Sequence, residues 1–259
     1  QTILKERYSE VEIVDMRHYL VNMRSIKQKP ELTAIQKAID VTVNAFSALI
    51  ATSINFKNEN EIEGYITSCF RTGAAQHAYQ PIVAAGKNAC TLHYIRNNDS
   101  LTAKNLLLID AGAEIENYAA DITRTFAIGS ITDRQEQVIT AVKEIKAYAE
   151  SILNPGVLLK DYEKNVEECM GEKLIQLGLI KKPEKSEIRR YYPHSTSHHL
   201  GLDVHDVADY NAQLQKGMVL TIEPGIYIPE EGIGVRIEDD VLITDNGIKN
   251  LSKKLPTTF

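Results

Sequence analysis

Four of the chain's seven histidines fall in the run His194-Ser195-Thr196-Ser197-His198-His199-Leu200-Gly201-Leu202-Asp203-Val204-His205-Asp206. Serine and glycine make this run a poor helix, and in an extended segment His199 points away from its neighbour His198. Elsewhere, acids sit where acids are costly. Asp110 follows Leu106-Leu107-Leu108-Ile109, Asp121 lies in the next strand-like stretch, and Glu223 and Glu238 are each set in apolar sequence. An unpaired carboxylate in such surroundings is driven neutral unless a cation or a cage of hydrogen bonds holds it. Each residue alone has an ordinary reading: Asp110 as a turn former ahead of Gly112, Asp121 as an edge residue or a partner of Arg124, a single histidine as a satisfied core residue. Four acids brought to one place would repel one another unless multivalent cations lay between them. With one imidazole they form a hard, oxygen-rich set suited to Mn, Co or Mg rather than to thiolate-bound zinc. Two ions roughly 3.5–4 Å apart could share bridging carboxylates and a bridging hydroxide. That is chemistry for hydrolysis, with a carboxylate taking the nucleophile's proton and imidazoles stabilising the oxyanion. Within the run, His198 and His205 are the main candidates, then His194, and His199 is the weakest. No HExxH, GxSxG, Walker A or complete GxGxxG motif competes with this reading.

The elements that must position these residues follow from periodicity. Pro30 followed by Leu32, Ile35, Ile39, Val43, Phe46 and Ile50 predicts a long amphipathic helix, and a second begins near Asn60. Thr132 and Gln135 fit a capping box ahead of Val138, Val142, Ile145 and Ile152, a helix ended by Asn154-Pro155-Gly156. A fourth uses Tyr162, Val166, Cys169 and Leu177 and stops near Gly178. Between them lie strands: Asn105 to Ile109, Tyr118 to Ile128 after a turn at Glu116-Asn117, Val219 to Ile222, Ile226 to Ile228, and Gly234 to Ile243 after a turn at Pro229 to Gly232. Leu108-Ile109-Asp110-Ala111-Gly112 and Thr221-Ile222-Glu223-Pro224-Gly225 repeat one pattern, apolar strand into carboxylate into glycine, which suggests an internal duplication. Helices and hairpins in mixed order indicate an α+β fold rather than a doubly wound sheet.

With 29 basic and 35 acidic residues the net charge is −6, and the cations are scattered among acids, which argues against a nucleic-acid partner. A length of 259 residues, 43% hydrophobic and 25% charged, is that of an ordinary globular chain. No uninterrupted apolar run approaches the roughly 20 residues that span a bilayer, so no membrane partner is expected. Cys69, Cys90 and Cys169 have no metal-site spacing and indicate a reducing, cytoplasmic compartment. Residues 1–22 match no period and read as a linker or the tail of a missing N-terminal domain, with the functional domain spanning 23–259; the opening Gln-Thr-Ile-Leu-Lys suggests a fragment.

Five ordered segments then carry a resemblance: Leu108 to Gly112, Tyr118-Ala119-Ala120-Asp121-Ile122-Thr123-Arg124-Thr125-Phe126, Ser197 to Asp206, Thr221-Ile222-Glu223-Pro224-Gly225-Ile226-Tyr227, and Val235-Arg236-Ile237-Glu238-Asp239-Asp240. From about Arg24 onward the chain resembles the catalytic domain of the aminopeptidase P (Xaa-Pro aminopeptidase) family of pita-bread metallopeptidases. The resemblance implies a pita-bread fold with an internal pseudo-twofold and two divalent metal ions, usually Mn2+, with Co2+, Mg2+ or Zn2+ as alternatives. It also implies hydrolysis of the N-terminal Xaa-Pro bond by a metal-bridging hydroxide. Asp110, Asp121, His198, Glu223 and Glu238 would be the metal ligands, Asp121 and Glu238 bridging both ions. Glu223 would also accept the nucleophile's proton. His205 and His93, 17 residues before Asp110, would face the substrate, His194 would border the proline pocket, and Arg236 would support the substrate site. Full-length relatives carry an N-terminal domain that helps to oligomerise, so a homo-oligomer acting on peptides with proline at the second position is implied. An Xaa-Pro bond offers no amide hydrogen and its ring fixes the backbone, so a pocket shaped for that ring can select it. Ser195 stands where the family often has glycine, and His199 where a bulky aromatic or small residue is common; both bear on pocket shape. Prolidase shares the fold and ligands but takes dipeptides. Methionine aminopeptidase shares the ligands, but Arg236 to Asp240 fits the proline-directed branch better. The metal-free creatinase branch and the non-catalytic binding modules of this fold are opposed by the intact ligand set.

Overall fold

The computed structural model describes residues 2–257 apart from 53, 103 and 104. Two helix pairs each cover strands that carry acids. In the first half, α3 (Lys29–Ala51) and α4 (Glu59–Thr72) pack over β2 (Ile82–Ala85), β3 (Asn105–Ala111) and β6 (Ile122–Ile128). In the second, α5 (Asp133–Ile152), α6 (Leu159–Gln176) and the short α7 (Lys185–Tyr191) pack over β7 (Val219–Ile222), β8 (Gly225–Ile228), β9 (Ile233–Arg236) and β10 (Asp239–Thr244). Short strands complete the set: β1 (Gln76–His77), β4 (Ala113–Ile115), β5 (Tyr118–Ala119) and β11 (Gly247–Asn250). Sheet orders are β1-β4-β5, β2-β3-β6, β11-β10-β7 and β8-β9, and the pairings are antiparallel. This is the α+β architecture expected, and the paired helix-on-sheet halves agree with the duplicated sequence pattern.

The local signals act as read. Pro30 lies in the first turn of α3, whose Ile35, Ile39, Val43 and Phe46 enter the core. By length and composition α3 is apolar enough to cross a membrane, but its buried stripe is occupied by this core. At the start of α5, Thr132 Oγ1 accepts from Gln135 N at 3.2 Å and Gln135 Oε1 accepts from Thr132 N at 2.9 Å. Glu116 and Asn117 both adopt positive φ, 55° and 68°, as the two-residue β4–β5 hairpin requires. Residues 1–22, for which no period was evident, include α1 (Thr2–Arg7) and the start of α2 (Arg17–Ser25), both largely exposed.

Two expected strands are interrupted. Tyr118 to Ile128 splits into β5 and β6, because β5 joins β4 while β6 returns alongside β3. At the crossing, a Cβ on Gly112 would lie 1.7 Å from Ala120 O, so residue 112 has to be glycine. Gly234 to Ile243 splits in the same way into β9, paired with β8, and β10, paired with β7. The breaks fall at Asp121 and Glu238. Their N–H groups leave the ladders and donate elsewhere, Asp121 N to Asp240 Oδ2 at 3.1 Å and Glu238 N to Thr123 O at 3.0 Å.

Candidate metal centre

Cross-strand register explains the convergence. Asp110 on β3 sits directly opposite Thr123 on β6 and shares its face, and Asp121 lies two residues before Thr123. Thr123 Oγ1 donates to Glu238 Oε2 at 2.6 Å, tying the acid of the second half to the strand of the first. The His-rich run is irregular, as expected, and is held to β7: Thr221 N donates to His198 O at 3.0 Å, and His198 N to Thr221 Oγ1 at 3.2 Å. Glu163 on α6 accepts from Thr196 N at 2.8 Å and Ser197 N at 2.9 Å. Thus the five proposed ligands arrive from five separate stretches of chain.

They meet. Ligand atoms of Asp110, Asp121 and Glu238 lie within 4.8 Å of one another, as do those of His198, Glu223 and Glu238, and those of Asp121, His198 and His205. Asp121 and Glu238 each join an all-carboxylate group to a histidine-containing one, the arrangement expected of bridging residues. His198 Nε2 stands 3.4 Å from Asp121 Oδ2 and 3.4 Å from Glu223 Oε1. Its Nδ1 faces His199 O at 3.1 Å. A carbonyl only accepts, so Nδ1 carries a proton and Nε2 is the nitrogen turned toward the acids.

The nest is short of positive charge. Burial pushes Glu223 up to about 8, an effect that His198 and Arg236 oppose and that Asp121 and Asp110 reinforce. Glu238 is held well above the usual carboxylate range by burial and then by the charges of Asp121, Glu223 and Asp110. Burial also raises Asp110 against the pull of Arg236. His198 rises to about 9 although burial alone would lower it, because it bonds Asp121 and lies near Glu223. Among the described residues, the one arginine or lysine within ion-pair distance of these acids is Arg236, whose Nη2 is 2.6 Å from Asp110 Oδ2. Buried acids crowded against one another, with the His198 Nε2 turned toward them, form a donor set that fits divalent cations once that nitrogen has lost its proton.

The remaining candidates surround a cavity of about 390 Å³ lined by Leu92, His93, His194, His205 and Tyr210 as well as the ligands and Arg236. His93 and His205 are exposed there, and the His205 ring lies 4.1 Å from that of His198. Burial, and then the charge of Arg236, pushes His194 down to about 3; its Nε2 meets Tyr227 Oη at 2.8 Å. Arg236 in turn donates to Tyr227 Oη at 2.9 Å and Thr123 Oγ1 at 3.1 Å. His199 is buried against Tyr210, ring centroids 5.7 Å apart, and does not line this cavity.

Tyr79 joins the site without a signal in the sequence. Its Oη lies 2.5 Å from Asp110 Oδ1 and 2.6 Å from Asp121 Oδ1, joining two of the acids. Nothing local in Ala78-Tyr79-Gln80-Pro81 signals this. Thr123 was legible in principle, since alternation puts it on the face of Asp121.

Residues 33–245 match the model of metallopeptidase family M24. The chain is 39% identical to the Xaa-Pro aminopeptidase of Haemophilus influenzae, covering 95% of this chain and 61% of that protein. It is 36% identical to Xaa-Pro aminopeptidase 1 of Streptomyces coelicolor, covering 93% and 54%. In structure it is similar to aminopeptidase P from Escherichia coli with the inhibitor Pro-Leu, with a TM-score of 0.87, 34% identity and coverage of 94% of this chain and 60% of that one. Aminopeptidase PepP of Pseudomonas aeruginosa gives a TM-score of 0.90 at 33% identity, covering 99% and 64%. The likeness places the fold in the pita-bread class. The chain spans just over half to nearly two thirds of the length of these proteins.

Proposed function

Because the chain belongs to metallopeptidase family M24, we propose that it is the catalytic unit of an aminopeptidase that removes an N-terminal residue preceding proline. The observation that carries this reading is the meeting of Asp110, Asp121, His198, Glu223 and Glu238, with Asp121 and Glu238 shared between ligand groups. Two divalent cations, Mn2+ on the donor chemistry, would supply a nucleophile from water at neutral pH and polarise the scissile carbonyl. Asp110, Asp121, His198, Glu223 and Glu238 would hold them. Glu223, which burial already makes a reluctant anion, takes the proton of the attacking water and passes it toward the leaving nitrogen. His205 and His93 donate to the carbonyl oxygen as it gains charge. His194, kept neutral, and Tyr227 shape the proline side, with Arg236 fixing Tyr227 and Asp110 from behind. Three free thiols suit a reducing compartment.

The test uses the Mn2+-loaded chain with Arg-Pro-Pro and with the dipeptide Arg-Pro. Release of arginine from the tripeptide, and loss of both bound metal and turnover in Asp121→Asn and Glu238→Gln, is the expected result. Activity should fall at least about 10²–10³-fold, the scale on which a preorganised charge-stabilising group acts. Exclusive cleavage of the dipeptide makes the protein a prolidase. A variant that keeps two metals per chain removes that residue's bridging role.

A further inference from the structure

The loop carrying His198 and His205 is held from outside by charges that the reaction does not use. Asp206 and Lys27 are each only 1% exposed, with Lys27 Nζ 3.1 Å from Asp206 Oδ2. Arg24 Nη2 bonds Asp206 Oδ1 and reaches Asp203 Oδ2 at 2.6 Å. Lys27 is itself fixed, its N–H donating to Gly217 O at 2.9 Å. The pair fits because residue 201 lacks a side chain: a Cβ on Gly201 would lie 2.2 Å from Asp206 Oδ2 and 2.9 Å from Lys27 Cε. On its other side, Asp206 N donates to His199 O at 2.8 Å. That same carbonyl receives His198 Nδ1 at 3.1 Å. One atom therefore links the charge cluster to the orientation of a metal ligand, and His205 is the residue next to Asp206.

A buried ion pair is a poor source of net stability, because desolvating two charges cancels most of their attraction. Its placement here gives it a different use. We infer that Asp206, clamped by Lys27 and Arg24, is a positioning residue that fixes the His199 carbonyl, and through it the tautomer and ring angle of His198. Residues 24–27 are thereby part of the metal centre although they lie far from it in sequence. The inference rests on the two-cation reading above.

The experiment measures Mn2+ affinity and, in metal-free protein with 15N-labelled histidine, the exchange-protected Nδ1–H signal of His198. The double variant Lys27→Met/Asp206→Asn removes the charges at similar volume. Its affinity should fall roughly 10–100-fold, as for other partners that orient a ligand, with the protected signal lost and the circular dichroism spectrum unchanged. Equal affinity and an intact signal in a folded double variant overturn the inference. If that variant does not fold, Arg24→Gln decides: its part-exposed ion pairs should be worth a roughly two- to fivefold weakening, and no weakening overturns the inference. A wild-type chain that binds no divalent cation sinks the two-cation reading instead, so the two failures are distinguishable.

Discussion

Glu238 and Asp239 are neighbours in sequence and equally buried, each 2% exposed, yet they are held in opposite ways. Asp239 has cations of its own: Arg124 Nη2 at 2.7 Å, Lys146 Nζ at 2.6 Å, with Ser252 Oγ at 2.6 Å and Asn250 Nδ2 at 3.0 Å. Burial would raise its carboxyl, but Arg124 and Lys146 hold it well below the usual range. Glu238 looks the other way, toward Asp121, Glu223 and Asp110, and its hydrogen-bonding neighbour is the uncharged Thr123. At these two neighbouring positions the fold thus supplies positive charge to the acid of the framework and leaves it out for the acid that faces the cavity. Arg124 also donates to Thr123 O at 2.9 Å and to Glu238 O, Leu255 O and Pro256 O. The compensated side is therefore the mount for the uncompensated one.

This contrast breaks if the two acids respond alike to neutralisation. Asp239→Asn strands two buried cations and should cost about 3–5 kcal/mol, read from urea unfolding of metal-free protein. Glu238→Gln removes a repelled charge and should leave the metal-free chain as stable as wild type, or more stable by roughly 1 kcal/mol. A comparable loss in both variants would show that the nest is as well compensated as the framework.

The next effect is smaller and depends on pH. Glu223 is raised from 4.5 to about 8, so its contribution to metal-free stability is complete below pH 4.5 and is lost as pH rises through 8. His198 is raised from 6.5 to about 9, so the stability it gains from its acid partners is complete below 6.5 and is lost as pH rises through 9. Both predict that in chelator the urea midpoint falls between pH 6.5 and 9, and that Mn2+ reverses the fall because it binds the deprotonated donors. The histidines held below 6.5, His77, His194, His199 and His205, act in the opposite sense below that pH and leave this window clear. A midpoint that rises with pH in chelator would contradict the charge deficit.

Legibility in the sequence follows the same division. The acids stood out because each is a carboxylate in an apolar strand, and the helices because their periods are local. The resemblance placed His93, which no pattern of its own reveals. What stayed hidden is what acts across long separations: Tyr79 between Asp110 and Asp121, the sheet switches that turn Asp121 and Glu238 inward, and Arg24 and Lys27, each reaching across a separation of 179 residues. Lysine and arginine on a helical or linker stretch read as solvated charge, and only the fold shows that Lys27 is buried. Proximity in sequence makes Arg124 a candidate partner of Asp121; its guanidinium serves Asp239 instead, because β6 alternates and turns residue 124 to the opposite face.

The finest test of the contrast exchanges one hydroxyl on each side. Ser252→Ala removes one of four partners of Asp239, leaving Arg124, Lys146 and Asn250 in place. The cost should be about 1.5 kcal/mol of stability, typical of a hydrogen bond to a charged group, with turnover unchanged. Thr123→Val is nearly isosteric but removes the hydroxyl that bonds Glu238 Oε2 at 2.6 Å and accepts from Arg236 Nε at 3.1 Å. Its stability change should be similar, yet its Mn2+ affinity should fall, because Glu238 loses the contact that orients it while its charge remains. Mn2+ titration beside urea unfolding on both variants separates the cases. If Ser252→Ala weakens Mn2+ as much as Thr123→Val does, the framework and the nest are one coupled network, and the charge boundary between residues 238 and 239 has no functional meaning.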